Sequence, residues 1–379
     1  MQRLPFEAEM DMFRDAARQF FQKEIRPHSE RWREANIVDR EAFLKAGEQG
    51  YLCMWADEQY GGLGLKDFRY EQILIEENTF HGDPGYFITL HSRLVAPYIE
   101  HFGTDEQKER FLPKLISGES IIAIAMTEPD AGSDLAGMKS RAVESGEDWV
   151  LNGSKTYISN GINADVIIVA AKTHANNPHG ITLFLVERGM EGFERGRNLK
   201  KMGMKSQDTA ELFFENVRIP KKNVLGQVHG GFYHLMQGLA EERLIAACGN
   251  IAAAQHALRI TREFVKERKV FGEPLSRMQN TRFVLAALDA EIDMAQCYVD
   301  RCVQVHNEGK LNSVDAARAK LLTSEINGRM VDAGVQLHGG AGYMEEYEIC
   351  RLYQDERVHR ILAGTSEIMK EIIARDILD

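Results

Sequence analysis

The spacing of apolar residues changes twice along the chain, and these changes restrict the folds available to it. From Glu7 to about Ile116, apolar residues recur three and four positions apart, as on one face of a helix. Between Ser120 and Pro220, short β-rich runs separated by turns replace that pattern. Helical spacing then returns over three long segments, 231–267, 277–307 and 313–337. This order of helices, strands and helices differs from the alternating pattern of a doubly wound fold.

Local signals indicate where some of these elements begin and turn. The segment Thr104-Asp-Glu-Gln107 is a capping box and predicts the start of a helix. The pair Asn152-Gly153 predicts a type I′ hairpin between two strands of the central block. We therefore expect the strands to form a small antiparallel barrel or sandwich, and the long helices to form a bundle.

The expected fold class is α+β, mostly α, with three domains. These are an N-terminal α-helical domain (1–119), a central β-domain (120–221) and a C-terminal four-helix bundle (222–379). The sequence has no G-x-G-x-x-G turn after a strand, no Walker A loop, no G-x-S-x-G elbow and no histidines spaced as metal ligands. Rossmann, P-loop, zinc and acyl-serine enzymes are therefore disfavoured, and no metal site is expected.

Composition narrows the class of protein further. The 379 residues are 44% hydrophobic and 27% charged, which suits a globular protein with a sizeable core. A formal net charge of −11 argues against nucleic-acid binding, because a phosphate backbone requires a broad basic surface. The five cysteines are odd in number and lack C-x-x-C spacing, so we expect reduced packing residues.

The N-terminal segment carries acidic residues in an amphipathic pattern, unlike a secretory or transit peptide. The longest apolar runs, such as DVIIVAA at 165–171, are far shorter than the roughly 20 residues that span a bilayer. We therefore expect no membrane span and a cytoplasmic location, or the mitochondrial matrix if the chain is a processed eukaryotic one.

Four segments together resemble the acyl-CoA dehydrogenase family. They are AMTEPDAGSD (125–134), NGSKTYISNG (152–161), RKVFGEPLSRMQ (268–279) and QLHGGAGYMEEYEICRLYQDERVHRILAGTSE (336–367). The resemblance covers most of the chain and is closest to the long-chain branch. It implies an FAD bound between subunits, an acyl-CoA substrate, electron transfer to an electron-transferring flavoprotein, and a homo-oligomer, commonly a tetramer.

The first two segments come from the strand block. In AMTEPDAGSD a strand ends in a turn that exposes backbone N–H groups and hydroxyls, although a plain surface turn would look the same. The resemblance assigns Met126, Thr127 and Ser133 to the flavin, and Ser133 also to the acyl-CoA. Tyr157 and Ser159 are two positions apart on a strand and so share a face. The resemblance implies a ring packing on the isoalloxazine and a hydroxyl near its N5, in place of ordinary core packing.

The third and fourth segments supply further cofactor residues. Arg268 ends a basic helical stretch and suits a pyrophosphate, although a solvated helix end has the same composition. By resemblance, the FAD held by the neighbouring subunit is bound by Arg268, Phe271 and Gln279. The glycines after Gln336 permit close backbone approach, or simply end a helix. The resemblance assigns to FAD also Gln336, Gly340, Thr365 and Glu367.

The segment ILAGTSEI raises the question of where the catalytic base lies. The family reaction removes the α-proton of an acyl thioester while the β-hydrogen leaves as hydride to flavin N5, and it needs a desolvated carboxylate. Most relatives carry that carboxylate at the position of Ala363, which cannot accept a proton. The long-chain and isovaleryl branches instead have a glutamate immediately before an arginine in an earlier helix, and Glu242-Arg243 matches that position.

Apolar neighbours along the helix would exclude water from the face that carries Glu242 and so raise the pKa of its carboxyl group. The charge of Arg243 would partly oppose this increase. The alternatives are that Glu242 is a surface acid or that its neighbour Glu241, about 100° around the helix, is the base. We expect Glu242 to be catalytic, and the substrate to lie near Ser133, Arg243 and Ala363. The backbone N–H of Ala363 would help to hold the thioester carbonyl.

The small residues around Glu242 favour a deep or wide pocket for a long-chain acyl group, with a branched chain as a competing hypothesis. Two rival functions stay open at this point. One is an acyl-CoA oxidase or flavin monooxygenase on the same fold, and the other is a non-catalytic scaffold that has kept the fold.

Overall fold

The structure is a computed structural model that describes residue 3 and residues 6–378. Its first part is helical and ends at a glycine in the left-handed conformation, Gly118, which follows the last helix. The helices of this part are α1 (Ala8–Phe20), α2 (Ser29–Ala35), α3 (Arg40–Glu48), α4 (Phe68–His81), α5 (Pro97–Phe102) and α6 (Asp105–Ser117). The predicted capping box at the start of α6 is confirmed, because Thr104 and Gln107 each bond the other's backbone N–H.

The strand block forms one curved sheet within the described residues. Its strands are β1 (Ile122–Ala125), β2 (Arg141–Ser145), β3 (Asp148–Ser159), β4 (Val166–Lys172), β5 (Ile181–Glu187), β6 (Phe193–Asn198), β7 (Thr209–Pro220) and β8 (Val224–Leu225). They are ordered β6-β7-β3-β2-β4-β5-β8, and β1 also pairs with β4. The sheet is mostly antiparallel, although β4 runs parallel to both β1 and β2.

Both faces of this sheet are buried at its centre. On β4, Val166, Ile168 and Ala170 pack into a core shared with the N-terminal helices. The alternate residues Ile167 and Val169 pack into a second core enclosed by the sheet strands. One face of the sheet therefore anchors the helices, and the other closes the strand block on itself.

The predicted hairpin at Asn152-Gly153 is wrong. Both residues lie inside β3, where the pairing with β7 shifts register between Leu151 and Gly153. Gly153 has φ of +146°, and a Cβ there would lie 2.7 Å from the Cα of Ser140. The glycine is thus explained by a bulge and a close backbone approach rather than by a turn.

The C-terminal part consists of long helices, as predicted. They are α7 (Gly231–Glu267), α8 (Gln279–Asn307), α9 (Ser313–His338), α10 (Glu348–Glu356) and α11 (Ser366–Leu378). Helices α7 and α9 run in the same direction, because Arg243 in the fourth turn of α7 bonds Ser313 at the start of α9, and Phe264 stacks on His338 near the end of both. This parallel pair, with α8 beside it, forms the frame that positions the site.

Other expectations from the sequence concern the cysteines and the membrane. All five cysteines are free thiols, and four of them are buried. No helix among the described residues combines the length and apolar character required to cross a bilayer. Over that same part of the chain, no cluster of histidine, cysteine or acidic side chains is arranged to bind a metal ion.

Candidate active site

Glu242 lies in the fourth turn of α7 and is only 6% exposed. Its Oε1 accepts a hydrogen bond from the Tyr98 hydroxyl at 3.1 Å, and Tyr98 belongs to α5 of the N-terminal part. Burial raises the pKa of Glu242 to about 7, although the Tyr98 bond and the charge of Arg243 oppose that change. At neutral pH this carboxyl group can therefore both lose and accept a proton.

The adjacent carboxylate, Glu241, has different surroundings. Arg93 and His306 each contact one of its oxygens, with the Arg93 Nε–Oε1 and His306 Nε2–Oε2 distances both 2.7 Å. Burial alone would raise the pKa of Glu241, but the bond from His306 and the charge of Arg93 bring it below the ordinary value. Glu241 is thus held by an ion pair with Arg93 and a hydrogen bond with His306, which join α7 to the segment before α5 and to α8.

Arg243 is buried and turns toward the start of α9. Its Nη1 donates to the Ser313 hydroxyl at 2.7 Å, while its Nε has no hydrogen-bond partner among the described residues. Burial lowers the pKa of Arg243, and the neighbouring charge of Glu242 acts in the opposite sense. In this structure Arg243 joins the helix that carries Glu242 to α9.

The segment between α10 and α11 closes this end of the bundle. Ala363 and Gly364 both have positive φ, 53° and 91°, so the chain turns sharply here. The buried Lys320 of α9 donates to the Gly364 carbonyl at 2.7 Å and fixes the turn. Thr365 accepts from the N–H of Ile368 at 3.3 Å, so its hydroxyl caps α11.

A cavity lies beside this closing segment, between α4, α7, α9 and α10. Leu362 lines it opposite Ile245 and Ala246, which stand one turn after Glu242 on α7. Gly249 and Ala253 continue the same face of α7, at seven and eleven positions beyond Glu242. The cavity therefore follows the helix face that carries the buried carboxyl group.

The two predicted cofactor segments of the strand block are held together. The Thr156 N–H donates to the Thr127 carbonyl at 2.9 Å. Below this contact lies a buried ion pair that the sequence analysis did not identify. Lys155 Nζ donates to the Met126 carbonyl at 3.0 Å and to Glu128 Oε1 at 2.8 Å. The sequence carried no clear signal for this pair, because Lys155 stands in the polar stretch NGSKT of β3.

Regular strand alternation fails at Tyr157, which has φ of +60° beside a register shift between Lys155 and Ile158. This bulge turns the tyrosine ring outward, so that it is 69% exposed, whereas Ser159 is half-buried. Ser133 is exposed in the turn after β1. The bulge thus displays a flat aromatic ring beside the Met126-Thr127 turn.

The remaining predicted cofactor residues lie at the other end of the bundle. Phe271 forms the tip of a two-residue hairpin between Lys269–Val270 and Glu273–Pro274, with φ of 51° and complete exposure. Arg268 and Gln336 are also exposed at this end. Arg268 follows Glu242 by 26 positions, about 39 Å along α7.

The predicted residues therefore divide into three groups within one chain, one of which is the strand-block set Met126, Thr127, Ser133, Tyr157 and Ser159. The group near Glu242 consists of Arg243, Ala363, Thr365 and the exposed Glu367. The distant group consists of Arg268, Phe271, Gln279, Gln336 and Gly340. A Cβ at Gly340 would meet nothing within 4 Å, so the backbone there is open to close approach from outside.

Models of known protein families match almost the whole chain. The N-terminal domain model of acyl-CoA dehydrogenase matches residues 7–119, the middle domain model 123–217, and the C-terminal domain model 229–378. The chain belongs to the acyl-CoA dehydrogenase family. Members of this family are flavoprotein oxidoreductases, and the chain is an acyl-CoA dehydrogenase.

Individual relatives agree with this assignment. The chain is 48% identical over 376 residues to the mitochondrial long-chain specific acyl-CoA dehydrogenase of Mus musculus, covering 98% of this chain and 87% of that protein. It is 38% identical over 380 residues to the mitochondrial isovaleryl-CoA dehydrogenase of Solanum tuberosum, covering 99% and 92%. The crystal structure of an acyl-CoA dehydrogenase from Geobacillus kaustophilus superposes with a TM-score of 0.97 at 46% identity, covering all of both chains.

Proposed function

We propose that this protein removes hydrogen from Cα and Cβ of an acyl-CoA to give the trans-2-enoyl-CoA, with Glu242 as the base. The observation that carries the proposal is a buried carboxyl group with a pKa of about 7, one turn before Ile245 and Ala246, which line a largely apolar cavity. A base of this kind is suited to a weakly acidic C–H proton at neutral pH.

The contacts of Glu242 give its two carboxyl oxygens different roles. Oε1 accepts the hydrogen bond from Tyr98, which orients the carboxylate and stabilises its charge. This leaves Oε2 to take the α-proton. The surrounding apolar residues exclude water, so the carboxylate is less stabilised by solvent than an exposed glutamate and more strongly basic. The Ala363 N–H is the donor that we assign to the thioester carbonyl.

The exposed residues of the strand block fit a flavin. The exposed ring of Tyr157, the hydroxyls of Thr127 and Ser159, and the backbone around Met126 offer a flat apolar surface next to hydrogen-bonding groups. FAD bound there would supply the acceptor for the β-hydride, and an electron-transferring flavoprotein would then take the electrons. Lys155 holds the turn in place beneath the ring.

The second group of cofactor residues supports an oligomer. Arg268 lies about 39 Å from Glu242 along α7, much farther than the isoalloxazine ring lies from the pyrophosphate of one FAD molecule. We therefore propose that Arg268, Phe271, Gln279, Gln336 and Gly340 hold the FAD of a partner subunit. The fully exposed ring of Phe271 would be covered in that assembly.

The length of the cavity favours a long acyl chain, straight or methyl-branched. Small residues keep its path along α7 open, among them Ala246 and Gly249. Gly238, one turn before Glu242, also leaves room, because a Cβ there would lie 2.9 Å from the Tyr98 hydroxyl and 3.3 Å from Glu242 Oε1. A side chain at 238 would crowd the base.

The test is anaerobic flavin bleaching by a long straight-chain acyl-CoA. Glu242→Gln should keep FAD and acyl-CoA binding but lose reduction by at least about a thousandfold, since no other group of the site can take the α-proton. Glu241→Gln is the matched control and should still be reduced, with lower thermal stability from the lost ion pairs. Normal reduction in Glu242→Gln would exclude this residue as the base.

A further inference from the structure

One wall of the cavity beside α7 is polar. Asn327 of α9 is completely buried, and Glu356 at the end of α10 is 4% exposed. His359 follows in the next turn, and all three residues line the cavity. Asn327 Nδ2 donates to Glu356 Oε2, which joins two of these side chains directly.

Each of the three side chains has a buried polar atom left over. Asn327 Oδ1, Glu356 Oε1 and His359 Nδ1 have no hydrogen-bond partner among the described residues. Buried polar atoms are nearly always paired, and an unpaired one costs folding free energy. Three such atoms on the wall of one cavity point to a group that occupies it.

The protonation of this wall determines what it can bind. Burial raises the pKa of Glu356 well above its ordinary value, although Arg360 and Asn327 act against this, which favours the protonated carboxyl. In that form Oε1 carries the proton, because Oε2 accepts from Asn327. Burial lowers the pKa of His359 to about 4, so its imidazole is also neutral.

The wall therefore offers an O–H donor on Glu356, an acceptor on Asn327 and a neutral ring nitrogen. A hydroxyl group both donates and accepts and would complement this set. A hydrocarbon end would leave the three atoms unpaired. A carboxylate would be desolvated next to Glu356 and Asp355, whose pKa is itself raised by burial.

The wall is remote from the reacting carbons. Asn250 of α7 bonds Thr323 of α9 at 3.4 Å, and the two helices are parallel, so Asn327 lies level with the turn around Ala253. That turn is 11 residues beyond Glu242, about 16 Å along the helix. A group bound there would belong to the distal part of a long acyl chain.

We propose that the substrate is a long-chain acyl-CoA that carries a hydroxyl group on its distal chain, bound by Asn327, Glu356 and His359. This inference rests on the proposed dehydrogenase function and specifies its substrate class. The hydroxyl would displace any water from the wall and pair the three atoms.

The experiment measures kcat/KM of the FAD-loaded enzyme for long straight-chain acyl-CoAs, each unsubstituted or with one hydroxyl at successive distal carbons. At one position or two adjacent positions, the hydroxylated substrate should be preferred at least about tenfold. Equal rates, or a preference for the unsubstituted chain at every position, would overturn the inference.

Two variants separate hydrogen bonding from simple shape. In Glu356→Gln, the amide N–H takes the place of the acidic O–H, so the preference for the hydroxylated chain should persist. In Glu356→Leu, the hydrogen-bond donor is lost. The ratio of kcat/KM for the hydroxylated chain to kcat/KM for the unsubstituted chain should therefore fall toward one. A ratio that stays high in Glu356→Leu would show that Glu356 does not bind the hydroxyl.

Failure of the broader proposal would look different. If no acyl-CoA, with or without a hydroxyl, reduces the flavin, the dehydrogenase function itself is wrong and this inference falls with it. If unsubstituted chains reduce the flavin well and no hydroxyl improves kcat/KM, only the assignment of the substrate class is wrong.

Discussion

Glu241 and Glu242 are adjacent in the sequence, but their surroundings give them opposite acid–base behaviour. Arg93 and His306 hold Glu241 as a carboxylate. Glu242 has only a tyrosine hydroxyl and the partly opposed charge of Arg243, so burial dominates and raises its pKa to about 7. At the scale of single residues, the acid–base behaviour of each carboxyl group thus depends on the partners that it meets.

The hydrogen bond from Tyr98 offers a test through pH. It stabilises the charged form of Glu242, so Tyr98→Phe should raise the pKa of the carboxyl further, by about one unit. Because the base acts as a carboxylate, the rising limb of the kcat profile should move to higher pH. Stopped-flow flavin reduction between pH 5.5 and 9 measures this.

Tyr233→Phe is the control for that measurement. Tyr233 also lies on α7, but its side chain is exposed, so its loss should leave the profile unchanged. A profile for Tyr98→Phe that matches the wild type would show that this bond does not tune the base.

At the scale of elements, the turn after β1 depends on a strand beneath it. Lys155 of β3 reaches the Met126 carbonyl and Glu128, whose other oxygen accepts from the Lys139 N–H. Burial alone would raise the pKa of Glu128, but Lys155 and the backbone donors lower it. The strand therefore sets the position of a turn 29 residues earlier in the chain.

Lys155→Met should destabilise the protein by about 3–5 kcal/mol, because it leaves the Glu128 charge buried without its partner. It should also weaken FAD binding, since the Met126-Thr127 turn loses its support. Urea unfolding and flavin titration measure the two effects.

Lys139→Met is the control, because it breaks an exposed ion pair with Asp130 in the same region. It should change neither the stability nor the FAD affinity. Equal effects of the two variants would contradict this account.

At the scale of the whole molecule, the length of α7 separates the candidate base from a distant group of proposed cofactor residues. The helix is 37 residues long and carries Glu242 in its first third, with Arg268 directly after its end. The parallel α9 brings Gln336 and Gly340 to the same end as Arg268. In the proposed arrangement, a single chain would present half of each of two cofactor sites, and assembly would complete them.

Mixed oligomers test this arrangement. Glu242→Gln should lack activity, and Arg268→Glu should lose FAD affinity because it places a carboxylate against the pyrophosphate. The two variants are unfolded and then refolded together with FAD. In a hybrid pair of subunits, one FAD site then contains both substitutions and the other FAD site contains neither. Activity above that of either variant alone is the expected result. No recovery in hybrids of confirmed mixed composition would mean that both residues serve the same site.

Much of the fold follows from the sequence because its signals are local. The 3.6-residue spacing over 231–267 predicted α7 with the bounds that the structure has, and Thr104 with Gln107 predicted the start of α6. The hairpin prediction at Asn152-Gly153 was wrong because the same dipeptide suits both a turn and a bulge. Only the close approach of Ser140 to Gly153 distinguishes the bulge from the turn. Local pattern therefore determined which elements form, but not all of their irregularities.

The sequence by itself also determined the family and the candidate base, since both depend on residue types at fixed spacing. Tertiary structure alone decided the protonation of that base and the pairing of its neighbour. Glu242 meets Tyr98 across 144 positions, and Glu241 meets Arg93 across 148. Likewise, the polar wall of Asn327, Glu356 and His359 arises only when α9 and α10 pack together. The desolvation of a side chain and the identity of its hydrogen-bond partners depend on groups far apart in the chain. No local sequence pattern encodes these two properties.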